Sequence, residues 1–269
     1  MKQQARTQGL PGGMKSLAKL VACGAVGAAL STCLLGCDSE KPRNPFDPPK
    51  DAPVKPPAVT EVPKPKGPPE LSVDNLSPKV GFSRVLLQKP TDREKLKKEL
   101  VQVKSEFDGK EASIVVDRKA DTKWVIAMLE EVANIGAKPI IIKTSSRKDF
   151  PQELAIEPQF RAGKVPECSV VTMLMTDFHT ATWKLSGGTA GRRGKGLGGP
   201  DLSMTAETIE RYGKACKESS TIFVSGSDGI EWGLVFDLAA STKVLQEKVR
   251  FERIVLLSEP PIAGRVVKP

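Results

Sequence analysis

Histidine is almost missing from this chain: 269 residues carry one, His179, beside one Tyr, three Trp and nine Phe. A histidine-ligated metal centre needs more than one imidazole, so it is close to impossible, and a Ser-His-Asp triad would have to be built around His179. No metal or cofactor is expected. The 39% apolar content suffices for a modest core and excludes a multi-span membrane protein. Proline (22) and glycine (23), by contrast, are abundant, which marks part of the chain as unable to form a core.

Acidic residues are missing from one region. Residues 1 to 36 hold Lys2, Arg6, Lys15 and Lys19 and no Asp or Glu, so 4 of the 9 surplus positive charges belong there. In the remainder the bases are interleaved with acids and have few aromatics among them, which argues against a nucleic-acid partner.

That first region reads as a secretory signal, with a basic start and then an uncharged Ala, Gly and Leu-rich run from Leu20 to Gly36. It ends in Leu34-Leu35-Gly36-Cys37, which resembles a bacterial lipobox. The resemblance implies that Cys37 becomes the lipidated first residue of a mature protein held at a membrane surface by its acyl chains. Thr32 before Cys33 suits the small position less well than Gly36. An uncleaved anchor helix is the alternative, since the run sits at the short edge of a bilayer span. Either way the rest faces the periplasmic side of a bacterial cell envelope, with inner or outer membrane left open.

Half of the prolines, eleven of 22, fall between Pro42 and Pro69. Proline lacks the amide hydrogen and fixes φ, so residues 37 to 79 are expected to form a disordered or polyproline tether. At about 3.1 Å per residue, the proline-rich part reaches up to roughly 85 Å.

Regular patterning begins near Val80. Thr91 and Glu94 have the spacing of a capping box, followed by Leu96, Leu100, Val103 and Phe107 on one helical face as far as Gly109. Ser113 to Val116 reads as a strand, Thr122 to Ile135 as a helix stopped by Gly136, and Ile140 to Thr144 as a buried strand. Strand, helix and strand make a parallel crossover unit. The order returns with helix Ser203 to Cys216, strand Thr221 to Val224, helix Trp232 to Ala240 and strand Arg253 to Leu257, preceded by one or two strands in Ser169 to Lys184. Ile114-Val115-Val116 matches Ile222-Phe223-Val224, and Trp124 matches Trp232. The expected fold is α+β, with two tandem two-layer βαβ-containing domains at 80 to 150 and 166 to 269. Each would pack its helices on one face of a small mixed sheet.

A strand, a turn, an aromatic near the start of an amphipathic helix, then Gly and an apolar strand resemble the periplasmic domain of the biopolymer transport ExbD/TolR family. The residues are Ile114 to Asp117, Asp121 to Val125, Ile135-Gly136 and Ile140 to Thr144, with a second copy in Ile222 to Ser225, Asp228 to Trp232 and Arg253 to Leu257. The resemblance implies contacts with peptidoglycan or envelope motor proteins and an intramolecular pseudo-dimer. It also implies a membrane aspartate that is missing here, because Leu20 to Gly36 contains no acid. The expected function is therefore a non-enzymatic envelope adaptor. The alternative is an accessory subunit of such a transport system that keeps its N-terminal helix.

Several residues invite a chemical role. His179 is expected to be an ordinary strand or strand-end histidine, since no nucleophile motif accompanies it. Asp117, Asp121 and Asp228 read as turn and helix-start residues, and Trp124 and Trp232 as core. Gly187 to Pro200 holds seven glycines with Arg192, Arg193 and Lys195 and lacks the hydroxyl residue of a P-loop, so it reads as a mobile basic loop and the best contact for an anionic ligand. Cys168 and Cys216, the only cysteines after Cys37, are either a disulfide or two buried thiols.

Overall fold

The computed structural model describes residues 67–89, 91–245, 249 and 251–269. The leader, Cys37 and the proline-rich stretch through residue 66 lie outside the described residues. Those described begin with β1 (Leu71–Val73), β2 (Pro78–Val80), β3 (Ser83–Arg84), α1 (Asp92–Gln102) and α2 (Lys104–Phe107). Next come β4 (Ala112–Val116), α3 (Thr122–Asn134), β5 (Ile140–Lys143) and β6 (Glu153–Pro158). Then follow β7 (Val170–Leu174), β8 (Thr180–Lys184), β9 (Gly191–Arg193), β10 (Lys195–Gly196) and β11 (Gly199–Pro200). The last are α4 (Leu202–Lys214), β12 (Thr221–Gly226), α5 (Trp232–Val244) and β13 (Arg253–Leu256).

The fold is α+β. Eleven strands form one mixed sheet in the order β3-β2-β1-β4-β5-β6-β13-β12-β7-β8-β9. β4 lies between parallel β1 and β5, and β12 between parallel β7 and β13. Moving outward from β6, each side meets the strand after a helix, the strand before that helix, the two strands of a hairpin and a short edge strand.

Where the sequence repeat predicts two small sheets, the chain therefore builds one. The joint is β6, whose first residues pair antiparallel with β5 (Ala155 with Ile141) while its last pair parallel with β13 (Ile156 with Ile254). It lies across the gap between the two expected domains. Its signal was a plain alternation, in which Leu154, Ile156 and Pro158 are buried and their neighbours are not. The expected tether also ends too late. Leu71 and Val73 are buried against β4, and Pro78 opens β2, a place where its missing N–H is tolerated.

The capping box is not formed. Thr91 makes no side-chain cap, and the Asp92 carboxylate instead accepts the backbone N–H groups of Gln88 (3.1 Å) and Lys89 (2.9 Å). The other helix starts follow the pattern, with Asp121 accepting Lys123 N in α3 and Asp201 accepting Met204 N in α4. Past α3, Gly136 has φ of 100°, and a Cβ there would fall on the Asp108 carboxylate.

The helices cover one face of the sheet. Ile114, Ile142, Val170, Ile222 and Ile254 share a core with Leu96, Met128, Ile209 and Phe236, residues of α1, α3, α4 and α5. Behind β7, β8, β12 and β13 a second cluster holds Val171, Trp183, Phe223 and Val255, closed by Ala162, Leu257 and Val267. Trp183 Nε1 donates to Arg265 O at 2.9 Å, fastening the C-terminal segment to this face.

Asp74 fastens the first hairpin, with Lys79 and Arg84 each at 2.7 Å. Burial alone would raise its pKa, but hydrogen bonds from Lys79, the Leu76 and Ser77 amides and Arg84 hold it far below the ordinary 3.8. A folded-state pKa below the unfolded one means that the unfolded chain binds the proton more readily. This contribution is complete above about pH 5 and is lost as pH falls through the ordinary value toward the folded one. The stability gap between wild type and Asp74→Asn, measured by urea unfolding, should be flat above about pH 5 and shrink below about pH 4. A gap that does not change with pH would remove the charge from the account.

Candidate functional site

The sequence points to the basic stretch between β8 and α4, and the structure gives that stretch order. Residues 191–193 are β9, the outermost strand of the sheet, with Arg192 opposite Ala181 and Arg193 opposite Thr180. Lys195–Gly196 and Gly199–Pro200 then pair as a separate hairpin. The expected mobile connector is thus an edge strand followed by a hairpin. The glycines allow it: a Cβ at Gly191 would lie 2.8 Å from the Thr208 methyl, so only glycine lets β9 approach α4 so closely.

Its three cations divide by role. Arg193 Nε donates to Thr208 Oγ1 at 2.6 Å and so braces the strand against α4. Arg192 is exposed, and Lys195 Nζ lies 5.9 Å from the Phe178 ring centroid. Arg211, absent from the sequence reading, joins them from α4: its guanidinium is 5.7 Å from the Tyr212 ring, and Tyr212 Oη donates to Thr189 O at 2.8 Å. Among the described residues no carboxylate lies within ion-pairing distance of Arg192, Arg193, Lys195 or Arg211. Helical spacing alone gave no sign that Arg211 faces the loop.

The support beneath is stiff. Thr180 and Thr205 hydroxyls meet at 2.6 Å between β8 and α4, and Thr172 meets Thr182 at 3.2 Å between β7 and β8. Cys168 and Cys216 are joined as a disulfide with Cα atoms 5.3 Å apart, tying the approach to β7 to the end of α4. The whole basic segment lies inside the ring that this bridge closes.

His179 follows the β7–β8 turn, where Phe178 adopts φ of 62°. Its Nδ1 is 3.0 Å from Asp177 Oδ2. The backbone N–H of His179 donates to the Asp177 carboxylate and, with the imidazole, holds that carboxyl below its ordinary value. This is turn chemistry, and no nucleophile joins it. Asp117 accepts Lys119 N at 2.7 Å, Asp121 caps α3, and Asp228 occupies a turn. Trp232 is fully buried, with Nε1 donating to Thr144 Oγ1 at 2.8 Å, and so offers no stacking face. Trp124 is partly buried against the same core.

A groove of about 570 Å³ that the sequence did not suggest lies beside the C-terminal segment, lined by Phe160, Leu257, Pro260, Ile262 and Val266. Arg192, Arg193, Lys195 and Arg211 are not part of it. Among the described residues, no three His, Cys, Asp or Glu side chains gather to hold a metal, and no helix is long and apolar enough to cross a membrane. The basic edge offers cations with no carboxylate partner among the described residues, on a braced scaffold, an arrangement that attracts anions. No family model, curated protein or solved structure matches this chain.

Proposed function

We propose that this chain is a non-enzymatic adaptor of the bacterial envelope, lipid-anchored through Cys37 and facing the periplasm. In this reading its two halves derive from tandem duplication of an ExbD/TolR-like unit and form an intramolecular pseudo-dimer. It binds peptidoglycan or envelope motor proteins. The observation that supports it best is the strand order, which is the same on both sides of β6 although identity between the halves is thin. Independent elements would have to arrive at one order twice, whereas a duplicated unit inherits it.

The test combines anchor and partner in the same cells. Palmitate label should enter the wild type and not Cys37→Ala, and the chain should be retained on isolated cell wall or with motor components after crosslinking. Absence of label would sink the anchor, and retention on neither partner would sink the adaptor.

A further inference from the structure

The hairpin beyond β9 ends in an apolar tip. Leu197 stands at its turn with 112% relative exposure, the most exposed of the large apolar side chains among the described residues. Gly198 and Gly199 beside it have no heavy atom within 4 Å of where a Cβ would lie, so the tip stands clear of the fold. The base is held: Pro200 is buried, Lys195 sits by the Phe178 ring, and Arg193 is bonded to Thr208. Around it, Arg192, Lys195 and Arg211 lack carboxylate partners among the described residues. Of the nearby acids, Asp177 is on His179 and Asp201 caps α4, and exposed Glu207 has no ion-pair partner among the described residues.

The geometry points to an anionic bilayer surface as the ligand of this hairpin. Leu197 enters the headgroup region, and Arg192 and Lys195 lie over acidic headgroups. A sugar polymer would give the cations partners and leave Leu197 in water, whereas the bilayer interface accommodates both. The assignment rests on the envelope reading, and it adds a second, salt-sensitive contact to the lipid at Cys37. Dual attachment would hold the basic edge at the membrane surface.

Leu197→Trp in the full chain tests it, because the native Trp183 and Trp232 are fully buried and Trp124 is partly so. Vesicles of brominated phosphatidylcholine, with or without phosphatidylglycerol, are compared at equal amounts of bound chain, set by sedimentation, so only the local signal differs. The introduced indole should be quenched in the anionic vesicles alone. The quenching should vanish at high salt, and Arg192→Glu with Lys195→Glu should weaken the contact on the order of tenfold or more. Equal iodide access to the introduced indole in both vesicle types would overturn the proposal, as would quenching that survives charge reversal. Shielding by isolated cell wall without bilayer quenching would overturn it in favour of the glycan. Lack of palmitate label on Cys37 would sink the anchor and leave this vesicle result standing.

Discussion

Arg118→Ala should lower the stability of the fold by about 3 kcal/mol, the lower end of what breaking a buried ion pair costs. Asp237, on α5, is 1% exposed and receives both Arg118 Nη atoms, at 3.0 and 2.8 Å. Arg147 is more distant, at 3.6 Å. Taking Arg118 away leaves a desolvated carboxylate with one weak partner, and that penalty exceeds the modest net value of the pair itself. The same loop caps α5. Glu231 gives α5 no side-chain cap, and the N–H groups of Trp232 and Gly233 donate to Ala120 O (2.8 Å) and Arg118 O (2.7 Å). Thr122 Oγ1 returns the contact by donating to Ile230 O at 2.6 Å. For a chain of this size the loss corresponds to a fall in Tm of roughly 6 to 12 °C. Urea unfolding checks it, with Arg118→Met/Asp237→Leu as the second arm. The apolar pair should recover most of the loss, because no charge is left buried. A single-mutant cost below about 1 kcal/mol would show that the joint between the halves does not depend on this contact.

Removing the Cys168–Cys216 bridge should cost about 4 kcal/mol, the chain-entropy value for the sequence separation of 48 residues. The effect is on the unfolded chain, which gains freedom across the whole β7 to α4 segment. Cys216 is 3% exposed, so the serine variant adds the burden of a buried hydroxyl, and alanine is the better replacement. Thermal unfolding of Cys168→Ala/Cys216→Ala with and without reductant measures it. The wild type should lose stability in reductant and the double variant should not respond. An unchanged Tm for the reduced wild type would mean that the bridge constrains nothing. The basic edge lies within this ring, so reduction should also speed hydrogen exchange in residues 187 to 200 more than in β4 or β12.

Much of the second half was legible in advance, and for local reasons. α4, β12, α5 and β13 lie within a few residues of where apolar spacing and turn residues put them, and of the two readings open for Cys168 and Cys216 the structure has the disulfide. Asp117 and Asp121 are the turn and cap residues that their neighbours suggested, and His179 sits at a strand end, just before β8. The failures share a different cause. Thr91 has capping-box spacing, yet Asp92, one residue on, turns back to the preceding loop and takes the amides there. Arg118 and Asp237 are 119 positions apart, and no periodicity connects them. Arg211 reads as one more solvated helix charge until α4 is laid beside β9.

Composition and short-range spacing by themselves determined which segments could fold, which residues face a core, and where most helices and strands begin and end. These depend on interactions within a turn or a pleat, and every such interaction is written in neighbouring residues. That the two patterned regions share one eleven-stranded sheet was decided only in the tertiary structure. Strand edges pair through backbone groups that every residue carries, so β6 could seal β5 to β13 with no side-chain signature beyond a plain alternation. The same physics turned a glycine-rich connector into an edge strand and a hairpin with Leu197 at its exposed tip.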